Sequence, residues 1–205
     1  MNFDLISMKK RAKELFKQNL SMIMIMTIIM LIIMYLRAGI FRSFSWQVVA
    51  ALYVLDVLIT GLLKIGYNAG LLDISRGGNS GVSVLVNGFR KNVFSNLITV
   101  IIYFGGIYLG SIFFVVPGIL LFYRWRFVYF ILSDGEKSVL NAYKRSMELT
   151  KGHCMELFKM DVSFLGLYFL ELITLGIAGV YVIPYTTITY AEYYDYIKGQ
   201  YELIG

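Results

Sequence analysis

The sequence predicts an all-α fold, a polytopic transmembrane helical bundle of about six spans, and three observations carry that expectation. Hydrophobic residues fill 58% of the 205 positions and charged residues only 16%, with a mean hydropathy of +0.68, which is more apolar than a soluble domain of this size needs for its core. The apolar residues gather into blocks whose length approaches the about 20 residues that cross a bilayer core. The basic residues fall mainly between those blocks and on alternate sides of them.

Residues 1–19 read as an amphipathic leader. Phe3, Ile6, Met8, Leu15 and Phe16 form an apolar side while Lys9, Lys10, Lys13 and Lys17 face phosphate headgroups, so a helix here lies on the membrane before the chain turns in. The first span, 20–36, is LSMIMIMTIIMLIIMYL, 17 residues without a charge. No small-residue cleavage site stands around Tyr35 to Gly39, which favours a retained helix over a secretory signal.

The second span, 46–72, carries Asp56 and Lys64 within apolar sequence, and Gly61, Gly66 and Gly70 let neighbouring helices approach. The third, 93–116, has Gly105, Gly106 and Gly110 at its centre. Pro117 and Gly118 then interrupt the helix, and a short fourth span runs over 118–132. The fifth, 157–175, and the sixth, 180–194, form a hairpin about Gly176 to Gly179, because one straight helix over these 38 residues exceeds what a bilayer requires. Pro184 marks a helix break inside the sixth.

Charge sets the orientation. With six spans and the first end inside, the inner segments hold Lys9, Lys10, Arg11, Lys13 and Lys17, then Arg76, Arg90 and Lys91, then Lys137, Lys144, Arg145 and Lys151, and finally Lys198. The outer segments hold only Arg37 and Arg42, the asymmetry of a multi-pass protein with both termini cytoplasmic. Five spans, or spans three and four as a re-entrant pair, is the competing count. Three units of a polar inner segment followed by two apolar segments give a three-hairpin pattern: KKRAKELFKQN from Lys9 and YKRSMELTKGH from Tyr143 share Lys-Arg, Glu-Leu and Lys at an offset of 134. In the later segment Val139, Leu140, Tyr143, Met147 and Leu149 form the apolar side beside Lys144, Arg145 and Lys151, a second set of headgroup candidates.

The C-terminal half carries VPGILLFYRWRFVYFILSD from Val116, AYKRSMELTKGHCMELFKMDVSFLG from Ala142 and IPYTTITYAEYYDYI from Ile183. In the order and spacing of these elements, with YNAG at Tyr67 to Gly70, the chain resembles DUF975, a family of bacterial integral membrane proteins of unknown function. Asp134, Ser146 and Lys151-Gly152 match its aspartate loop, serine and lysine-glycine pair, while Glu136 stands where a proline is more usual. The resemblance implies a multi-span protein of the bacterial cytoplasmic membrane and brings no reaction, cofactor or catalytic residue with it.

Six ionisable groups fall inside the expected spans: Asp56, Lys64, Arg124, Arg126, Asp161 and Glu171. A charge at the bilayer centre costs about 2.5 to 3.5 kcal/mol, so mutual compensation is expected, first between Arg124 or Arg126 and Asp161. Arg124 and Arg126 lie about 200° apart on a helix and point to nearly opposite sides. The same six are the candidates for a ligand site or ion path.

Chemistry is sparse by comparison. One cysteine, Cys154, and one histidine, His153, exclude an intrachain disulfide and the multi-ligand zinc signatures, so no cofactor or metal is expected. Ser146, His153 and Cys154 lack a third catalytic partner at usable spacing. Asp161 and Glu171 stand about 15 Å apart along a helix, too far for a glycosidase-like pair. RGGNSG from Arg76 lacks the lysine of a phosphate loop. The net charge of +6 is distributed between apolar blocks rather than along one face, which argues against nucleic acid.

These readings favour a noncatalytic membrane protein that binds lipid, chiefly anionic headgroups, or an envelope protein partner. A homodimer through the Gly61 or Gly106 face is a further arrangement of the same kind. A small-solute or lipid transporter with a charged path is the alternative, and an intramembrane lipid-modifying enzyme comes last.

Overall fold

A computed structural model describes residues 4–40, 46–113 and 115–204; Phe3 and Arg42 lie outside them, as does the side chain of Arg37. The described residues fold into α1 (Leu5–Gln18), α2 (Leu20–Ile40), α3 (Trp46–Ser75), a 3-10 turn (Val82–Val86), α4 (Asn87–Arg90), α5 (Val93–Phe113), α6 (Val115–Arg124), α7 (Val128–Ser133), α8 (Val139–Leu149), α9 (Cys154–Ile173) and α10 (Gly179–Ile204), with no strand among them. The fold is all-α. Two helices are long and apolar enough to cross a membrane, over Leu52–Ser75 and Val93–Gly110. A third is gained if Leu5–Gln18 and Leu20–Ile33, bent by 90°, count as one span.

Six such helices are therefore not present among the described residues, and the causes are local. The segment 118–132, expected as the fourth span, is divided by a turn at Trp125–Phe127 into the ten residues of α6 and the six of α7. Within the expected spans α9 carries Lys159, Asp161 and Glu171, and α10 carries Glu192 among many tyrosines and threonines, so neither is as apolar as Val93–Gly110.

Asp4 starts α1 by accepting from the Ile6 N–H at 3.0 Å, and Asn19 ends it. The apolar side of α1 packs against the bundle, where the sequence placed it on the membrane. Ala12 and Phe16 are buried, Phe16 meets the edge of Tyr181 at 5.1 Å, and Arg11 pairs with Glu192 at 3.1 Å, so the helix lies along α10. Helix α10 offers α1 both an apolar partner, Tyr181, and a carboxylate, Glu192. Among the described residues of that side, only Ile6, 80% exposed, keeps the expected outward aspect.

After α3 the chain turns back on itself. A Cβ on Gly66 would lie 2.2 Å from the Leu85 carbonyl oxygen and one on Gly88 2.0 Å from the Leu62 carbonyl oxygen, so only glycine allows the segment 82–90 to press its backbone onto α3. A Cβ on Gly61 would meet Val100 at 2.4 Å, which fixes the crossing of α3 and α5.

The chain does pass from one helix to the next just before Pro117, whereas Pro184 interrupts nothing. Pro117 and Gly118 lie in the first turn of α6, where the missing proline N–H has no helical acceptor to lose. Helix α10 likewise runs through Pro184, its sixth residue, at the loss of one early backbone bond. The turn between α9 and α10 is made instead by Leu175 and Gly176, both at positive φ, with the Gly176 N–H bonded to the Glu171 carbonyl at 2.8 Å.

The core gathers around α10, α3 and α7, with Tyr67, Phe127, Ile131, Tyr193 and Tyr194 almost fully buried. Large apolar side chains remain uncovered on α2, α5, α6 and α9, including Ile32, Ile101, Leu109, Leu120, Leu165, Phe169 and Leu172.

Candidate functional site

Two polar networks hang on α10. Asp134, just past α7, accepts from Arg76 at 2.5 Å, from Lys198 at 2.5 Å and from the Tyr194 hydroxyl at 3.1 Å. Arg76 also grips Asp195 with two parallel bonds, at 2.9 and 2.7 Å. Burial alone pushes the Asp134 carboxyl up, but the bonds and charges of Arg76 and Lys198 prevail and hold it well below the usual carboxylate range. The Arg76 guanidinium is raised, first by its bonds to Asp195 and then by those to Asp134. Three helices and two loops are thereby tied at one end of the bundle.

The second network lies deeper. Arg126 pairs with Asp161 at 3.0 Å, with their side chains 15% and 19% exposed. The Tyr190 hydroxyl donates to the same carboxylate, and the guanidinium lies over the Tyr190 ring at 4.0 Å and the Phe122 ring at 4.8 Å. Arg124 takes the opposite direction. It donates to the Met147 carbonyl at 3.0 Å, while Ser146 returns a bond to the Arg124 carbonyl at 2.8 Å, which staples α6 to α8.

Of the other residues expected in the spans, Glu171 sits at the α9–α10 turn with its carboxylate against Gly179, and Asp56 is engaged on α3. Lys64 makes no ion pair among the described residues. The headgroup candidates divide. Lys9 turns inward, donating to the Ser163 carbonyl at 3.0 Å over the Phe164 ring. Lys10 lines a cleft of about 640 Å³ with Asp4, Arg11, Glu14, Arg76 and Glu192. Arg145 meets Glu202 at 3.4 Å and lines a second cleft, of about 380 Å³, with Asp134, Glu136, Lys137 and Lys198. Lys13, Lys17, Lys144 and Lys151 are exposed.

Ser146 is fully buried and occupied with Arg124, so it is no nucleophile in waiting. His153 bonds Glu156 at 3.1 Å, and Cys154 lies on the Thr150 carbonyl. Among the described residues no three His, Cys, Asp or Glu side chains gather as a metal site. Gly61 and Gly106, the faces considered for self-association, are filled within the chain by Val100 and the Trp125 ring.

Tyrosine, apolar in its ring and polar at its tip, suits a membrane interface, yet the structure encloses those of α10. Tyr190 reaches Asp161, Tyr193 reaches Glu156 at 2.5 Å and Tyr194 reaches Asp134. A carboxylate partner removes the reason for the hydroxyl to seek water. A signal for two of these pairs does exist in the sequence: Asp161 with Tyr190, and Glu156 with Tyr193, stand about equally far on either side of the Leu175–Gly176 turn. An antiparallel hairpin brings such positions level.

Fold and site together define a class: an all-helical protein that combines membrane-length apolar helices with a core of tyrosine–carboxylate and arginine–carboxylate contacts. The model of a protein family of unknown function, DUF975, matches residues 95–201, more than half of the chain. The chain belongs to that family. The match takes in α6 to α9, nearly all of α5 and most of α10, and leaves α1 to α4 outside. No curated protein and no solved structure matches the chain.

Proposed function

We propose that the protein is a noncatalytic integral module of the bacterial cytoplasmic membrane that holds anionic lipid headgroups at its basic end. The observation that carries this reading is the division of its surface. Exposed Ile, Leu and Phe side chains cover α2, α5, α6 and α9, whereas Lys137, Arg145 and Lys198 line one cleft beside Asp134. Uncovered apolar helices call for a lipid environment, and cations clustered at one end suit the anionic inner leaflet. Both termini inside and multiple crossings by the three hairpins α2–α3, α5–α6 and α9–α10 belong to the same proposal.

The transporter alternative draws less support, because Arg124, Arg126 and Asp161 are engaged in holding helices together. A charge spent on a neighbouring helix is poorly placed to pass a solute. The test is reconstitution with analysis of retained lipid. Protein extracted from mixed vesicles is expected to keep phosphatidylglycerol over phosphatidylcholine, and the double variant Lys137→Gln/Arg145→Gln to lose most of that preference. Equal retention of both lipids by the unaltered chain would refute the reading.

A further inference from the structure

The helices recur at matched intervals. Helices α1, α2 and α3 begin at residues 5, 20 and 46, and α8, α9 and α10 at 139, 154 and 179, later by 134, 134 and 133 positions. Between these sets the segment 82–90, α5 and α6–α7 keep the same order, and the long helices α2, α5 and α9 have 21, 21 and 20 residues. The packing follows a cycle. The segment 82–90 rests on α3, α8 rests on α7 and, closing the ring, α1 rests on α10, so the leading element of each unit sits on the last helix of its neighbour.

Each joint leaves a cleft, of about 640 Å³ beside α1, about 380 Å³ beside α8 and about 260 Å³ beside 82–90, and all three adjoin the Arg76–Asp134–Asp195 network at one end of the bundle. Their charges differ. Beside α1 four carboxylates face three cations, whereas beside α8 three cations face two carboxylates. In the smallest cleft the one cation, Arg76, is held by Asp134 and Asp195, and Asp73 accepts from Ser80 at 2.7 Å, so its charges are committed within the chain.

Beside α1 the commitment is incomplete. Ser7, Arg11 and Glu14 fall within about 60° on one face of α1, with Lys10 about 40° further round, and all four are exposed and line the cleft. Arg11 meets Glu192 through Nε alone, at 3.1 Å, and its side chain is 63% exposed, so both terminal guanidinium nitrogens have no partner among the described residues. Lys10 and Glu14 make no ion pair among them either. A forked guanidinium with a lysine beside it suits a phosphate group. Glu14 stands three to four residues on, about 4.5–6 Å along the axis, where it suits an ammonium group joined to that phosphate by two carbons. We infer that the cleft beside α1 is a second ligand site, for a group that carries a phosphate, held by Arg11 and Lys10, and a primary ammonium, held by Glu14. It rests on the headgroup reading only for the bilayer as the source of the ligand, and it uses no side chain of the Lys137 and Arg145 cleft.

The full chain in non-ionic detergent is titrated by calorimetry with short-chain phosphatidylethanolamine, short-chain phosphatidylcholine and free phosphoethanolamine. Phosphatidylethanolamine binds saturably and about tenfold tighter than phosphatidylcholine, whose trimethylated nitrogen has no N–H to give Glu14. Binding of the lipid alone assigns the bilayer as the source, and equal binding of phosphoethanolamine assigns a soluble ligand to the same site. Lys10→Gln and Glu14→Gln, both exposed and expected to keep Tm, each weaken binding about three- to tenfold, and together by about tenfold or more. Lys137→Gln/Arg145→Gln leaves it unchanged, so a failure to retain phosphatidylglycerol with this binding intact sinks only the reading of the other cleft. The inference is overturned if neither phosphatidylethanolamine nor phosphoethanolamine binds saturably, if phosphatidylcholine binds as tightly, or if the folded Lys10→Gln/Glu14→Gln variant binds as the unaltered chain does.

Discussion

The α5–α6 and α9–α10 hairpins share a topology and are closed by opposite physics. In α5–α6 the helices meet through small residues: a Cβ on Gly110 would lie 3.3 Å from the Gly118 Cα, and one on Gly106 2.4 Å from the Trp125 ring. In α9–α10 the contact is polar, with the Tyr190 and Tyr193 hydroxyls reaching Asp161 and Glu156 across the pair. Close backbone approach works in lipid, where apolar surfaces gain little by meeting each other and dispersion decides. Hydrogen-bonded carboxylates work where the polar groups can be fully enclosed. The difference teaches that one contact is set by backbone proximity and the other by enclosed polar groups, although the outer face of α9 is as apolar as that of α5.

Substitutions should break that comparison in a definite order. The largest effect is expected from Asp161→Ala, which leaves Arg126 enclosed without its counter-charge and should cost about 3–5 kcal/mol in detergent unfolding. Asp161→Asn, which still accepts from Tyr190, should cost less. An equal loss from both would mean that the charge of Asp161 is irrelevant to the hairpin.

Acid should act on the Asp134 network next. The Asp134 carboxyl is held low, so its contribution is fully present above the ordinary carboxylate range and disappears as pH falls through the depressed value. Thermal unfolding should therefore weaken below about pH 4, and Asp134→Asn should flatten that dependence at a cost of about 2 kcal/mol, the partial exposure of Arg76 moderating the figure. A pH profile unaltered by Asp134→Asn would remove this carboxylate from the account.

On the apolar hairpin, Gly106→Ala should destabilise by about 1–3 kcal/mol through collision with Trp125. Gly105→Ala, one residue away where a Cβ meets nothing within 4 Å, should instead stabilise by about 0.5–1 kcal/mol through helix propensity. The same sign at both positions would show that packing does not set this contact. The smallest loss on the polar side belongs to Tyr193→Phe, about 1 kcal/mol, because Glu156 keeps His153.

Much of the helix layout was legible because it rests on local signals. The uncharged run from Leu20, the glycines of α3 and the divergence of Arg124 from Arg126 all follow from composition or helical angle, and Arg126 does reach Asp161. What was not legible depends on distant partners. The segment 82–90 gives no sign that its backbone will settle on Leu62 and Gly66, since that requires α3 to be in place. Tyr190, Tyr193 and Tyr194 read as interfacial because tyrosine is amphipathic, and only the carboxylates of other elements reverse the reading. Pro184 reads as a break because proline's effect depends on how far into a helix it falls. Two to three described helices, rather than a clear six, are long and apolar enough to cross a membrane: apolar character was visible, but the polar groups of α9 and α10 are met by contacts that no window of sequence contains.

The apposition of α1 and α10 has a consequence in time. Arg11 waits for Glu192 and Phe16 for Tyr181, partners about 165 to 181 positions later in the order of synthesis. Contacts of such separation form late, because loop closure must come before they return any stabilisation. The earliest helix described is thus among the last to complete its contacts, its Phe16 waiting on α10. A pause or a stop before Tyr181 would strand that contact and leave α1 open to misassembly.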